Sequence, residues 1–372
     1  MPDDAGLGSW PGLDLNHKKV GIDWGRGDTS EAMSSRAKFG LVLVLGSLAL
    51  VGCVKPKFKK GFMLVYPTQT GAVKVRYQHS DGEWRTGAVP PGSSTELGAD
   101  GGVFAPGLLR LAAWSNPKGV EVRLGLGAEV WDSQQAASLP SVTPASGPSI
   151  ATLVPASDSG WVVAYRTTSD TVALLRRAGG TTASLNLAPL EHNENVTGRP
   201  SVAVGGEELL LVWSTTSGIY VGRADATAQL PQWQVSEVDL EDVPLGNSVR
   251  YGPPQVAPAV TWDGAKFLFA LTRKSQCTGH DCLNHEQLFL YEDKGSASWQ
   301  LASSRSTLLN TLTLDIATDG TTVMLVSASY SKRAAYAIDE GSWTQLNAEA
   351  IFGGALRPNT DIGLVGILGS GG

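Results

Sequence analysis

Two cysteines, Cys277 and Cys282, and two histidines, His280 and His285, fall within one short segment of the 372-residue chain. The four side chains suit a tetrahedral Zn²⁺ site, which needs both cysteines as thiolates. The same cysteine pair, with His280 and Asp281 between its members, can instead close a disulfide that pins a hairpin tip. In an exported protein that is the favoured chemistry, and it leaves no metal site. A second group is acidic: Glu191 and Glu194 flank His192, while Asp239, Glu241 and Asp242 lie upstream of Arg250 and Tyr251. Two carboxylates held roughly 5 to 9.5 Å apart could cleave a glycosidic bond; singly they are solvated loop charges.

Other chemistry is excluded more firmly. No Gly-rich phosphate loop, nucleophile elbow or HExxH pair occurs, so no cofactor is expected and catalysis is not favoured. The 29 basic and 35 acidic residues give a net charge of −6 and form no basic stripe, which argues against nucleic acid as a partner.

The strongest address signal lies near the start. Within residues 33–53, Arg36 and Lys38 precede an apolar run from Phe39 to Val51 that closes in Leu50-Val51-Gly52-Cys53. The run is shorter than the roughly 20 apolar residues of a spanning helix. This order resembles the signal of bacterial lipoproteins. The resemblance implies a signal peptide over 33–52, lipidation of Cys53 as the first mature residue, and a cell-envelope protein anchored to the membrane on its periplasmic or cell-surface side. Residues 1–32 show no apolar periodicity and are expected to be a non-native extension ahead of an initiator Met33. Residues 53–61 form a tether in which Lys55, Lys57, Lys59 and Lys60 sit near the anchor, each worth about 1 kcal/mol at an anionic surface.

The rest of the chain, 62–372, must position whatever site exists. With 44 Gly and 20 Pro in the whole sequence and abundant Val, Leu, Thr and Ser, it has the profile of many short strands joined by turns. Six apolar runs ending at Tyr66, Trp114, Tyr165, Trp213, Leu271 and Ser327 recur at spacings of 48, 51, 48, 58 and 56 residues. Each is followed by a second strand, and in five units by a third segment carrying Trp84, Trp131, Trp233, Trp299 or Trp343. Proline-led strands at Pro148, Pro200 and Pro258 precede three runs, and Leu312 to Ala317 takes that place in the last unit.

Four strands per unit in six units resemble a β-propeller, which makes the domain all-β. The first unit lacks an inner strand, and Arg357-Pro358-Asn359-Thr360-Asp361-Ile362-Gly363-Leu364 echoes Arg199-Pro200-Ser201-Val202 with no strands after it. The C-terminal segment is therefore expected to close the ring by completing the first blade. The repeated tryptophans are expected to pack between blades.

A six-unit propeller is also similar to the sialidases, but the repeated motif of that family has only a partial echo in Ser80-Asp81-Gly82-Glu83-Trp84. Its arginine cluster would require partners for Arg199 and Arg357. In a propeller, connections between blades share a face with the turns between second and third strands. Glu191 to Arg199, Val235 to Pro258 and Cys277 to His285 should therefore gather over units three to five. That face is the candidate binding site for a glycan or an envelope protein, with glycan-active catalysis or a purely structural role as alternatives.

Cys53→Ser should leave the chain unlipidated and either unprocessed or soluble. Intact-mass measurement of the protein from its native host checks this, and an unmodified Cys53 in the unsubstituted chain would refute it.

Overall fold

The computed structural model describes residues 60–367 apart from 91, 104–108, 127–129, 132–136, 140–142, 154–159, 179–180, 186–189, 229–230, 239–248, 255–256, 278–285, 296–297 and 308–309. The extension, the signal, Cys53 and residues 53–59 of the tether lie outside the described residues.

The strands follow one another radially. Blade I begins with β1 (Gly61–Pro67), β2 (Val73–Gln78) and β3 (Trp84–Thr86). Blade II contains β4 (Gly98–Val103), β5 (Leu109–Asn116), β6 (Gly119–Leu126), β7 (Val130–Trp131) and β8 (Ala137–Leu139). Blade III contains β9 (Ser149–Thr152), β10 (Trp161–Arg166), β11 (Val172–Ala178) and β12 (Thr181–Leu185). Blade IV contains β13 (Ser201–Gly205), β14 (Glu208–Ser214), β15 (Ile219–Asp225) and β16 (Gln234–Glu237). Blade V contains β17 (Val249–Pro254), β18 (Ala259–Trp262), β19 (Phe267–Cys277), β20 (Glu286–Asp293) and β21 (Trp299–Thr307). Blade VI contains β22 (Thr313–Thr318), β23 (Val323–Ala328), β24 (Arg333–Asp339) and β25 (Ser342–Gln345). A short helix, α1 (Ala348–Phe352), leads to β26 (Gly363–Ile367).

β26 pairs antiparallel with β1, matching Gly61 with Ile367 and Val65 with Gly363, so the last strand completes blade I as its innermost member. The fold is therefore an all-β, six-bladed propeller closed by its C-terminal strand.

Why the second strands read as unbroken apolar runs follows from their place. Each blade is sandwiched between two others, so both faces of a central strand are buried, and β1 is buried at all seven positions. Alternate residues then serve alternate neighbours. Phe62, Leu64 and Tyr66 join the core shared with blade VI, whereas Met63 and Val65 join the core shared with blade II. Leu209, Leu211 and Trp213 face blade III, and Leu210 and Val212 face blade V. Six such clusters occupy the six junctions. Outer strands lose one neighbour and turn polar, as in the exposed ends of β16 and β25.

The five outer tryptophans do pack between blades, and all in one sense. Trp84, Trp131, Trp233, Trp299 and Trp343 each join or lean on the cluster shared with the preceding blade. The outer strand of blade III, which has no tryptophan, pairs with β11 along Leu174 to Ala178.

Strand polarity separates two faces. Turns between first and second and between third and fourth strands leave one face. Gly61 and Ile367 emerge there too, and we call it the terminal face. Turns between second and third strands and the links between blades leave the other, the insertion face.

Removal of residues 357–372 should expose strand edges on both sides of blade I and give aggregated protein. Gly366→Ala is the finer test, because a Cβ there would overlap the backbone carbonyl of Thr318. A loss above about 3 kcal/mol, beyond the usual range for a point substitution, is expected in chemical denaturation. A truncated chain that remains monomeric and unfolds cooperatively would overturn the closure.

Candidate functional site

On the insertion face, blades III to V carry the link from blade III to blade IV together with the described parts of the link from IV to V and of blade V. The link from blade III to blade IV carries Glu191, His192 and Glu194, all exposed. Its backbone is held tightly. His192 and Asn195 adopt left-handed φ values of 59° and 55°, and the nearby Asp170 has 55°, a conformation that costs non-glycine residues free energy. The surroundings over-determine it. The Trp213 indole donates to the His192 carbonyl at 3.0 Å, the Val172 amide donates to the Asn193 side chain at 2.7 Å, and the Val196 amide donates to the Asp170 carbonyl at 2.9 Å. The His192 ring stacks on Tyr220 at 4.4 Å, and Tyr220 stacks on Trp213 at 5.9 Å. An aromatic column thus runs from the core to the surface, while Glu191 and Glu194 stand in solvent.

Blade V differs most from its neighbours. β19 has 11 residues, against six to eight in the second strands of the other blades. Its added length pairs with β17, which matches Val249 with Cys277 and Tyr251 with Ser275. The stretch from Val235 to Pro258 is therefore not one loop: it contains most of β16 and all of β17, and Arg250 and Tyr251 lie on the fifth strand of blade V. β20 and β21 extend in step, pairing Glu286 with Thr307. The lengthened sheet rises beyond the insertion face. Cys277 ends β19, whereas Asp239, Glu241, Asp242, His280, Asp281, Cys282 and His285 lie outside the described residues. The two inter-blade links meet, since a Cβ on Gly198 would come within 2.6 Å of the Ala257 Cβ.

The six inner strands enclose the second feature. They surround a cavity of about 340 Å3 that runs from Asp100 and Asp315 at one end to Gly206, Trp262 and Thr318 at the other. At its acidic end a charged group lies buried. The Arg199 guanidinium, on the link entering blade IV, lies 3.2 Å from an Asp315 oxygen of blade VI and donates to the Ile362 carbonyl of blade I at 2.7 Å. It also reaches the Pro148 carbonyl of blade III at 3.4 Å. Arg199 therefore spans the axis and bars the channel on the insertion side.

Three carboxylates surround this one cation. Asp100 accepts from the Gly101 and Ile150 amides at 2.7 and 2.9 Å. Asp315 accepts from the Ile316 and Leu364 amides at 2.9 and 2.8 Å, and Asp361 accepts from the Gly147 amide at 2.7 Å. Burial raises the pKa of all three, and the mutual repulsion of Asp100 and Asp315 raises Asp100 further; Arg199 and the amide donors oppose the rise. Burial alone would lower the Arg199 pKa, but the carboxylates outweigh it.

This cluster went unseen in the sequence, although Asp315 inside the apolar run Leu314-Asp315-Ile316-Ala317 was a signal for it. A sialidase-like cluster would need arginine partners for Arg199 and Arg357, and the structure engages these two with different groups. Arg357 is half-exposed, donates to the Thr95 carbonyl at 3.4 Å and faces Glu96 at 3.9 Å. With Arg199 held by two backbone carbonyls and paired with Asp315, these two do not assemble the arginine cluster of a sialidase. Among the described residues no group of three or more His, Cys, Asp or Glu is placed to hold a metal.

No protein-family profile matches the chain, and no curated protein matches its sequence. Several solved structures resemble it in backbone. TolB from Acinetobacter baumannii matches with a TM-score of 0.49 at 10% identity over 90% of this chain and 74% of its own. The fungal lectin of Aleuria aurantia, described as a six-bladed β-propeller with a novel fucose recognition mode, matches with a TM-score of 0.38 at 11% identity over 82% of this chain and 83% of its own. The BP39L lectin from Burkholderia pseudomallei matches with a TM-score of 0.41 at 9% identity over 78% of this chain and all of its own.

Arg199→Met should destabilise the domain by about 3 to 5 kcal/mol at neutral pH, because it strands buried carboxylates without their cation. A raised carboxylate pKa means the folded state binds protons more readily than the unfolded chain. The stability these groups contribute is therefore present at low pH and lost as pH rises through the window above 3.8. The deficit of the variant should shrink as pH is lowered toward that value. Thermal unfolding of both proteins across pH measures it, and a deficit independent of pH would refute the coupling.

Proposed function

We propose that this protein is a lipid-anchored component of the bacterial cell envelope whose propeller is a binding or assembly module working through the insertion face. Its ligand is an envelope polysaccharide or another envelope protein, its anchor is the acylated Cys53, and it needs no cofactor or nucleic acid. The observation that carries the reading is the convergence on one face of the III–IV link, the IV–V link with β17, and the lengthened blade V. A rigid scaffold that concentrates its added chain in one place fits recognition, since binding residues sit on loops that a scaffold positions. The aromatic column ending at His192, with carboxylates on either side, offers a stacking surface and hydrogen-bond acceptors together. Cys277 and Cys282 fit this role as a disulfide that stiffens the tip of the blade V extension.

The soluble domain, residues 61–372, should bind one class of envelope glycan on an array or one envelope protein in a pull-down. Replacing 278–285 by two glycines should abolish that binding while shifting the Tm by no more than a few degrees. Binding that survives both this replacement and His192→Ala would place the function elsewhere.

A further inference from the structure

The two faces of the propeller differ in where the chain arrives. β1 starts at Gly61 beside Ile367, so the polypeptide enters on the terminal face, eight residues after Cys53. Fully extended, those eight residues span at most about 29 Å. To bring the lipid to the opposite face, the tether would have to cross two strand spacings from β1 to the rim at β3 and then descend the height of β1, a path of about 33 Å before any turn is counted. It is too short.

The charges on the terminal face set how closely it approaches the lipid. Its turns and strand ends expose Asp81, Glu83, Glu207, Asp225, Asp339 and Glu340. Four basic side chains among them already have carboxylate partners: Arg85 with Asp81, Lys266 and Lys294 with Glu292, and Arg223 with Glu208 and Asp293. An anionic bilayer repels such a face while attracting the tether lysines. The tether and the turns therefore divide the work, one drawing the chain to the lipid and the other keeping the domain from lying on it.

We infer that the lipid-anchored protein stands with its terminal face toward the bilayer and its insertion face turned away, so that the insertion face meets a partner held off the membrane and never the lipid surface itself. This inference rests on the anchoring proposed above. Thr216 and Glu207 test it, because they are exposed residues just beyond opposite ends of β14, about 30 Å apart along the chain direction. Full-length acylated protein carrying a donor fluorophore at Thr216→Cys or at Glu207→Cys is placed on vesicles of phosphatidylethanolamine and phosphatidylglycerol containing an acceptor lipid. Transfer should be several-fold more efficient from position 207 than from position 216. A 30-residue Gly-Ser insertion after Lys60 should reduce that difference. Equal or reversed transfer from protein whose mass shows an acylated Cys53 overturns the orientation alone. A mass that shows no acyl group overturns the membrane reading and the orientation with it.

Discussion

Six inner strands converge on one axis, and each leaves an edge of backbone amides facing its neighbour instead of a pairing partner. Buried amides without acceptors are costly, so the ring depends on how these edges are satisfied. Four junctions use a side chain from one inner strand to receive the amide of the next: Asp100 for Ile150, Ser149 for Val202, Ser201 for Val260 and Asp315 for Leu364. Between blades I and II the backbone does it directly, with the Ala99 amide donating to Asp361 and the Asp361 amide to Leu97. The residue types at one register of the inner strand are thus set by a hydrogen-bonding obligation, and the burial of two carboxylates follows from it. Arg199 follows in turn, because those carboxylates sit in a site too dry to hold them uncompensated.

Around this hub the blades are held by apolar contact on both faces. The directionless part of the stability lies in the six inter-blade clusters, and the specificity of the ring lies in the polar hub. The insertion face exploits the separation of the two. Blade V can lengthen β19 and add β17 without disturbing either, because the added residues lie beyond the level of both the hub and the clusters.

The architecture was legible in the sequence wherever a strand is sandwiched, since continuous burial writes a continuous apolar run, as in β1, β10 and β14. It was illegible in β4, whose Gly98-Ala99-Asp100-Gly101-Gly102 carries none of the usual strand residues. The reason is crowding: a Cβ on Gly101 would come within 2.7 Å of the Met63 side chain, and one on Gly98 within 2.7 Å of Asp361. β17 was hidden by its two prolines, which read as loop. Ring closure was visible as an echo, but that echo aligned Arg357 with Arg199. In space Asp361, two residues before β26, holds the place that Arg199 holds two residues before β13, and the two have opposite charge. The buried cluster eluded the sequence because its members come from four separate units and only closure brings them together.

The uniform lean of the outer tryptophans toward the preceding blade gives the molecule a temporal order as well as a spatial one. As the polypeptide emerges N-terminus first, Trp131, Trp233, Trp299 and Trp343 each find the blade that receives them already synthesised. Trp84 does not, because the blade it leans on is blade VI. The seam between the first and last blades, with Trp84 beside Phe352 and Leu364, is therefore the last to seal. Until β26 emerges, a growing chain carries an open edge and an unburied indole at its leading end, so a chain delivered in an extended state cannot mature into a closed ring from any partial length.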